Sequence, residues 1–257
     1  MVKVGDITEL MEKTAPEGLK EEWDNVGLQT GSYENSVSGI LLALDITESV
    51  INEAVMLDCN LIVTHHPLIF APLKKVTEDE PVGKLVSALI KNDISFFCAH
   101  TNLDKAEGGV NDCLAEKIGL FDISGLGAEE PSIGRIGTLP YEMSLEEFAY
   151  KVKESLGCSG VRYSGDGRKR VKTVALCSGG GSDMFSEGVK EGADVFLTGE
   201  VKHHHALFAE QTGISFVEAG HFETENVVLE QLSDILISNF DIPVFISETN
   251  KSVMTTV

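Results

Sequence analysis

The chain has 257 residues, and its 20 Lys and Arg against 41 Asp and Glu give a formal net charge of −21. This charge argues against nucleic acid or anionic lipid as the primary partner, because both are bound mainly through Lys and Arg. Apolar residues make up 42% of the chain, which excludes wholesale disorder and suits one large domain or two smaller ones.

Predicted strands and helices alternate along the first half of the chain. In chain order we predict a helix opening at Asp6, a strand over 39–44, a helix over 48–57, a strand over 61–64, a helix over 82–92, a strand over 94–98 and a helix over 109–118. The first of these strands is a near-continuous apolar run, as expected where helices cover both faces of a sheet. The βαβαβα order therefore predicts an α/β fold with a mostly parallel sheet.

Residues 121–143 interrupt this alternation with several glycines and two prolines. We take them as the junction between two lobes and predict domains over 1–125 and 126–257. A capping box at Ser144 and Glu147 opens the next helix. The second lobe then continues with a strand over 171–176, a helix over 183–191, a strand over 194–197, a helix over 203–211, a strand over 214–217, a long helix over 222–239 and an edge strand over 244–246.

The two halves of the chain share an order of strand, turn, helix and strand. Thr64-His65-His66 falls where Thr198-Gly199-Glu200 falls in the second half. This correspondence favours an internal duplication, but βαβ units also resemble each other for physical reasons alone. Both explanations stay open at the level of sequence.

Cellular location is indicated by the cysteines and by the lack of long apolar segments. The five cysteines are far apart and never form a CxxC pair, which predicts reduced core thiols rather than disulfides or a sulfur-based metal site. No apolar run approaches the ~18 residues of a membrane span, and the N-terminus lacks the apolar stretch of a signal peptide. We therefore expect a cytoplasmic protein without membrane contact.

Histidines and carboxylates follow the predicted strand ends, which is where ligands gather in open α/β sheets. All seven histidines lie just past such an end. The predicted metal ligands are His65, His66, Asp104, His221 and Glu225. A set of imidazoles and carboxylates suits Zn, Fe, Mn, Ni or Co. The competing interpretation is that an isolated His-His pair is a chance surface feature.

Spacing distinguishes among these candidates. His221 and Glu225 are four residues apart, so they share one face of a helix, whereas Glu223 points elsewhere. His100 has two open interpretations, either a group that supports or performs catalysis or a buried structural histidine. The three consecutive histidines fit the surface of a helix better than a ligand set. They are His203, His204 and His205, and His204 is the strongest candidate ligand among them.

Two further segments have weaker signals. The glycine-rich run 178–183 follows a strand and opens a helix, so its amides could cradle an anion. The run lacks both the third glycine of GxGxxG and the Gly-Lys-Ser/Thr of a P-loop, so nucleotide binding there is a weak inference. Trp23, the only tryptophan, is explained by packing, whereas Asp24 could line a pocket.

Together these motifs resemble a known family across residues 6–245. The segments WDNVGL, LLALDIT, LIVTHHPLIF, AHTNLD, SGGG, GADVFLTGEVKHH and EAGHFETE are similar to the Nif-three-like family of dinuclear-metal proteins. Many of its members are called type-two GTP cyclohydrolase I homologues. The most specific pieces are Thr-His-His-Pro, His-Thr-x-Leu-Asp and Gly-His-x-x-x-Glu.

The resemblance implies two interlinked three-layer α/β lobes, related by a pseudo-repeat, with a site for two divalent transition-metal ions in the cleft between them. It assigns as ligands His65, His66, Asp104, His221 and Glu225. Glu225 would bridge the two ions. The resemblance also implies a homohexamer built as a trimer of dimers. Residues 121–143 are too few for the inserted domain that some relatives carry.

Two function classes follow from this set of residues. The first is a metal-dependent hydrolase of a small polar or anionic substrate, with His100 or Glu223 as the proton shuttle. Opening of a guanine imidazole ring and hydrolysis of a phosphoester both fit it. The second is a non-catalytic protein that stores, senses or delivers metal, or a scaffold ring for a protein partner.

Overall fold

The computed structural model describes residues 1–256 and has most of the predicted alternation of strand and helix. The predicted interruption over 121–143 instead contains one strand and most of a second. The helices are α1 (Val4–Thr14), α2 (Glu48–Met56), α3 (Pro81–Lys91), α4 (Thr101–Lys105), α5 (Val110–Lys117), α6 (Leu145–Leu156), α7 (Phe185–Lys190), α8 (His203–Thr212), α9 (His221–Glu225) and α10 (Val228–Asn239). The strands are β1 (Gly27–Thr30), β2 (Ile40–Ala43), β3 (Leu61–Thr64), β4 (Ser95–Cys98), β5 (Phe121–Gly125), β6 (Arg135–Ser144), β7 (Arg162–Ser164), β8 (Arg170–Cys177), β9 (Val195–Thr198), β10 (Ser215–Glu218) and β11 (Val244–Ile246). The fold class is α/β, as predicted.

The first sheet has five strands in the order β1-β4-β3-β2-β11. Strands β4, β3, β2 and β11 run parallel, and β1 adds an antiparallel edge. Every residue of β2, β3 and β4 is buried, as the apolar runs predicted. Helices α2 and α3 pack on one face of this sheet, where Val50 and Leu89 join strand residues in a single apolar core.

The second sheet has six strands in the order β5-β6-β8-β9-β10-β7. Its centre, β8-β9-β10, is parallel and its remaining pairs are antiparallel. Side chains alternate between the two faces of β8. Val174 and Leu176 join the core formed with α5 and α6, whereas Ala175 and Cys177 join the core formed with α7 and α8. Helices therefore cover both faces of this sheet.

The topologies of the two sheets support the predicted internal repeat. In each sheet three parallel strands are followed by an antiparallel edge strand, β2-β3-β4-β1 in the first and β8-β9-β10-β7 in the second. Thr64 pairs with Ala43 in the first sheet, and Thr198 pairs with Cys177 at the matching position in the second. The third strand of each set is followed by a five-residue helix, α4 or α9.

The chain divides into two compact units that differ from the predicted domains. The first unit is 1–107 with 229–251, and the second is 108–228 with 252–257. The predicted boundary at 125/126 is later than the observed one because β5 belongs to the second sheet, where it pairs with β6. The return of 229–251 to the first unit was not predicted, and it follows from the pairing of β11 with β2.

Local predictions of helix ends were correct in one case and wrong in two. Ser144 and Glu147 form the predicted capping box in front of α6. The first helix begins at Val4 rather than Asp6, and the Asp6 carboxylate accepts from the Lys3 backbone amide at 2.8 Å. The predicted helix over 222–239 is two helices, because Asn226 is a weak helix former and Val227 packs into the apolar core.

All five cysteines are free thiols, as predicted, and Cys59, Cys98, Cys158 and Cys177 are buried. Burial raises the pKa of Cys59 and Cys158 to about 11, with nearby carboxylates adding to the effect. Burial raises the pKa of Cys98 further. These thiols are therefore protonated and unreactive at neutral pH. Within residues 1–256 no helix combines the length and the apolar character that crossing a membrane requires.

The segment after β11 is fixed to the first sheet by a buried carboxylate. Glu53 of α2 accepts hydrogen bonds from the Ser247 and Thr249 hydroxyls and from the Glu248 and Thr249 amides, at 2.5–3.3 Å. Asn250 adds a second attachment, since its Oδ1 accepts from the Leu44 amide at 2.6 Å. Residues 247–250 are therefore bound firmly to the rest of the first unit.

Replacing Glu53 with Gln is expected to lower the free energy of unfolding at pH 7 by roughly 2–3 kcal/mol, because the amide nitrogen cannot accept these hydrogen bonds. Burial raises the pKa of Glu53, but the four hydrogen bonds outweigh it and lower the pKa overall. The contribution of the wild-type carboxylate should therefore be present above the ordinary Glu pKa and be lost as the pH falls through the lowered value. Urea denaturation across this range, with exposed Glu48→Gln on the same helix as control, measures both effects. Equal destabilisation by the two variants would contradict the expectation.

Candidate metal centre

His65 and His66 follow β3 at the point where the strand ends. A regular strand would point adjacent side chains to opposite faces, yet these two ring centroids are 5.0 Å apart. The turn is fixed by Thr64, whose hydroxyl donates to the His66 carbonyl at 2.6 Å, and by the His66 amide, which donates to the Leu44 carbonyl at 3.0 Å. The end of the strand thus lets both rings reach one place.

His100 brings a third imidazole to this place from the neighbouring parallel strand. It follows β4, and its ring centroid lies 5.1 Å from that of His65 and 5.5 Å from that of His66. Each ring offers a nitrogen that lies within 4.8 Å of the offered nitrogen of the other two. We define His65, His66 and His100 as the imidazole cluster. The cluster could hold a metal ion.

All three rings of the imidazole cluster bond through Nδ1 to an oxygen atom. The pairs are His65 with the Ala99 carbonyl at 3.0 Å, His66 with Asp45 at 2.7 Å and His100 with Asp24 at 2.9 Å. Because these oxygens accept, Nδ1 carries the hydrogen in each neutral ring and Nε2 keeps the lone pair. This is the arrangement in which proteins orient histidines that bind metals through Nε2.

Asp24 holds His100 from a fully buried position. Its second carboxylate oxygen accepts from the Thr101 amide at 3.0 Å and from the Thr101 hydroxyl at 2.5 Å. Burial raises the pKa of Asp24, but the hydrogen bonds from His100 and Thr101 outweigh it and lower the pKa to about 2. Asp24 is therefore an anion at neutral pH. The sequence singled out this residue as a pocket residue, and its observed role is to orient His100.

Asp104 adds a carboxylate beside the imidazole cluster. It lies on α4, is 7% exposed, and has its Oδ1 3.6 Å from Nε2 of His65. Helix α4 is held close to the end of β4, because the His100 amide donates to the Asn102 side chain at 2.9 Å. Imidazole nitrogens with a carboxylate oxygen form a donor set that fits Zn, Fe, Mn, Ni or Co.

His221 and Glu225 form a matching pair in the second unit. Both lie on α9, and His221 Nε2 is 3.1 Å from Glu225 Oε2. His221 Nδ1 is 3.2 Å from Oε1 of Glu200, which follows β9. The ring is thus oriented by a carboxylate through Nδ1, as His66 and His100 are in the first unit. Glu225 is 5% exposed, so its carboxylate is buried beside the His221 imidazole.

The Gly179 backbone packs directly against this pair. Gly179 has φ +53°, and a Cβ atom there would lie 2.0 Å from Glu225 Oε1 and 3.0 Å from His221 Nε2. The Gly179 amide donates to the Thr224 hydroxyl at 3.0 Å, and its carbonyl accepts from the Glu200 amide at 2.9 Å. The glycine is required here both by its conformation and by the space that the carboxylate occupies.

Replacing Gly179 with Ala is therefore expected to displace the Glu225 carboxylate and to lower the free energy of unfolding by about 1–3 kcal/mol through backbone strain. Gly180→Ala is the matched control, because a Cβ at Gly180 meets nothing within 4 Å. Chemical denaturation and metal content measured on both variants test this. If Gly180→Ala lost as much stability or metal as Gly179→Ala, the assignment would be wrong.

The amides of the glycine-rich run are engaged by the protein, contrary to the predicted anion cradle. The Ser178 amide donates to the buried Asn111 side chain at 2.8 Å, the Gly179 amide to Thr224, and the Gly181 amide to the Ser178 carbonyl at 3.1 Å. Three donors of the run are therefore unavailable to an anion. Its role is to pack against α9.

The remaining candidates lie in different surroundings. The Glu223 carboxylate lies against Gly220, where an added Cβ would be 2.1 Å from it. His203 and His204 are exposed on α8, as the surface interpretation predicted. His205 is half-buried, bonds to the Ser182 hydroxyl at 2.9 Å and lies 3.2 Å from Asp183.

Two orienting carboxylates were missed by sequence reasoning. Asp45 comes directly after the apolar run of β2, and Glu200 directly after Thr198-Gly199 at the end of β9. Both obey the strand-end rule that found the histidines. Position at a strand end does not by itself distinguish a metal ligand from a group that orients one.

Comparison with known proteins gives a consistent family. The family model described as Duf34/NIF3 (NGG1p interacting factor 3) matches residues 2–252. A Clostridium perfringens protein named GTP cyclohydrolase 1 type 2 homolog is 40% identical over 245 residues, which cover 93% of each chain. The crystal structure of Staphylococcus aureus protein SA1388 is similar with a TM-score of 0.92 and 31% identity, covering 100% of this chain and 99% of that one. Reduced HcgD from Methanocaldococcus jannaschii has a TM-score of 0.82 and 32% identity, covering 96% and 98%. The chain therefore belongs to the Duf34/NIF3 family.

Proposed function

We propose that this protein binds two divalent transition-metal ions and uses them to hydrolyse a small polar or anionic substrate. The observation that carries the proposal is the imidazole cluster, in which each Nδ1 is bonded to an oxygen so that Nε2 keeps its lone pair. A chance group of surface histidines would not have three separate orienting acceptors. The proposed ligands are His65, His66, Asp104, His221 and Glu225.

The similarity between the two units supports ligands of the same kind in each. Each unit offers imidazole and carboxylate donors directly after the parallel strands of its sheet, on or beside a five-residue helix. The His221–Glu225 pair supplies too few ligands for an ion of its own, since transition-metal sites in proteins have at least three protein ligands. We therefore propose His221 and Glu225 as members of the five-residue ligand set and not as a site of their own.

Such ions, when bound, polarise an oxygen under attack and lower the pKa of a water molecule. The residues of the chain orient the reactants and carry protons. His100 is the first candidate for proton transfer, since Asp24 stabilises its ring through Nδ1 when Nε2 takes up a proton. Glu223 is the second candidate. At a net charge of −21, an anionic substrate has to be attracted by the local positive charge of the site.

The names of the relatives suggest the first substrates to try, because GTP cyclohydrolase chemistry opens a guanine imidazole ring and phosphoester hydrolysis uses the same kind of site. We further propose a cytoplasmic homohexamer, built as a trimer of dimers. Analytical ultracentrifugation of the purified chain tests the assembly, and a monomer would contradict it.

The test of function is a turnover assay on metal-reconstituted protein with GTP and a panel of phosphoesters, with the Glu225→Gln variant as control. Turnover by the wild type that the variant loses is the expected result. Full metal content without turnover on any substrate would favour a non-catalytic metal-binding or scaffold protein instead. The family description, which names an NGG1p interacting factor, is the observation on the side of that second function.

A further inference from the structure

Two large aromatic rings lie exposed beside the imidazole cluster. Trp23 is 57% exposed and Phe70 is 56% exposed, although each would stabilise the fold more if it were buried. Their ring centroids are 5.5 Å apart with an angle of 36° between the planes. Trp23 is also the only tryptophan of the chain. Packing, the simplest explanation for Trp23 at the level of sequence, does not account for a ring that is more than half exposed.

The pair adjoins His100 of the imidazole cluster. The His100 centroid lies 6.0 Å from that of Trp23 and 6.4 Å from that of Phe70, with interplanar angles of 72° and 68°. Despite these contacts more than half of the surface of each larger ring stays exposed, so it is available to another molecule. A molecule that reached the imidazole cluster would therefore pass next to these faces.

Hydrogen bonds fix the backbone under both rings. The Asn25 side chain donates to the Ile69 carbonyl at 2.5 Å, the Ile69 amide donates to the Gln29 side chain at 2.8 Å, and the Gln29 side chain donates to the Asn25 carbonyl at 2.8 Å. These three hydrogen bonds link Asn25, which follows Trp23 by two residues, to Ile69, which precedes Phe70. Exposed rings on a rigid backbone lose little entropy when a ligand stacks on them.

We propose that Trp23 and Phe70 form a stacking platform for the planar aromatic ring of the substrate. The inference rests on the proposed function, because the anionic or polar part of the same molecule would be bound at the metal site. A planar ring is the fitting occupant, since a cation, which aromatic faces also attract, would be repelled by the metal ions at the cluster. The substrate class is thus a heteroaromatic ring that carries an anionic group.

The sole tryptophan makes the platform directly observable by fluorescence. We expect guanosine monophosphate to quench Trp23 emission in the metal-loaded wild type, and ribose 5-phosphate, which has the anion without the ring, to leave it unchanged. Trp23→Leu and Phe70→Leu should each weaken binding of guanosine monophosphate, measured by calorimetry, by about 5- to 150-fold, the range found for stacking of one base. Trp23→Phe should retain most of the affinity. Tyr141→Leu, at an equally exposed ring of the second unit, should have no effect.

Several results would overturn the platform. One is equal quenching by both probes or by neither, and another is unchanged affinity in Trp23→Leu. A smaller assembly of Trp23→Leu by ultracentrifugation, with unchanged ligand affinity, would make the pair a contact between copies of the chain. Metal content measured on the same samples separates this inference from the proposed function. If metal content is normal but ligand affinity does not depend on the aromatic ring of the ligand, the platform alone is refuted. Quenching by guanosine monophosphate in protein that binds no metal would support the platform and refute the metal site.

Discussion

Replacing His65 with Ala is expected to abolish high-affinity binding of transition metal. His65 is fully buried, is oriented by the Ala99 carbonyl and lies beside Asp104, so it is the proposed ligand with the least freedom to be replaced by water. Loss of a group that merely orients a ligand costs about 10–100-fold in metal affinity, and loss of a ligand itself should exceed that. Elemental analysis after reconstitution and competition with a chelator measures the change.

Cys98→Ser is the matched control for this variant. Cys98 is also buried, ends the neighbouring strand and lies two residues before His100, but its protonated thiol is no metal ligand. Circular dichroism on both variants separates loss of metal from loss of fold. Normal metal affinity in folded His65→Ala, or loss of metal in Cys98→Ser, would show that the ligands were assigned wrongly.

Replacing Glu225 with Gln should lower metal content far more than replacing Glu223 with Gln. Glu225 is buried at 3.1 Å from His221 and is confined by Gly179, so its carboxylate is held beside an imidazole as a metal ligand would be. Gln keeps the shape of the side chain and removes the negative charge that would bind metal. We expect the Glu225 variant to retain at most one ion per chain, by elemental analysis and isothermal titration.

Glu223 is a close control because it lies two residues away on the same short helix, with its carboxylate against Gly220. Replacing Glu223 with Gln should leave metal content near that of the wild type. If Glu223 transfers protons, the replacement should lower only the turnover rate. Equal loss of metal in the two variants would mean that helix α9 offers the other carboxylate to the ions.

The strand-end rule explains how much of the candidate site could be read from the sequence. Parallel strands β3 and β4 are neighbours, so residues just after them had to be close, and His65, His66 and His100 are. The rule could not distinguish a ligand from a supporting group, because both occupy the same positions. The Nδ1 contacts of Asp24 and Asp45, which make these two residues orienting groups, depend on tertiary structure.

The fold was predictable where the apolar pattern is continuous. It was less predictable where paired strands are far apart in the sequence. The fully buried strands β2, β3, β4 and β9 were predicted within one or two residues, whereas β1, β5, β6 and β7, none of which is buried throughout, were missed. No local pattern indicates that β11 returns to β2 across some 200 residues, so the division into units could not be derived. Likewise, sequence spacing does not indicate the contact of Gly179 with Glu225, because that contact depends on the tertiary structure.

The most direct test of the account is a crystal structure of the metal-loaded protein with anomalous scattering recorded at the edge of the bound element. We expect two anomalous peaks per chain, at ligand distance from the proposed ligands His65, His66, Asp104, His221 and Glu225. A single peak bound by residues of one unit only, or peaks remote from all five side chains, would contradict it.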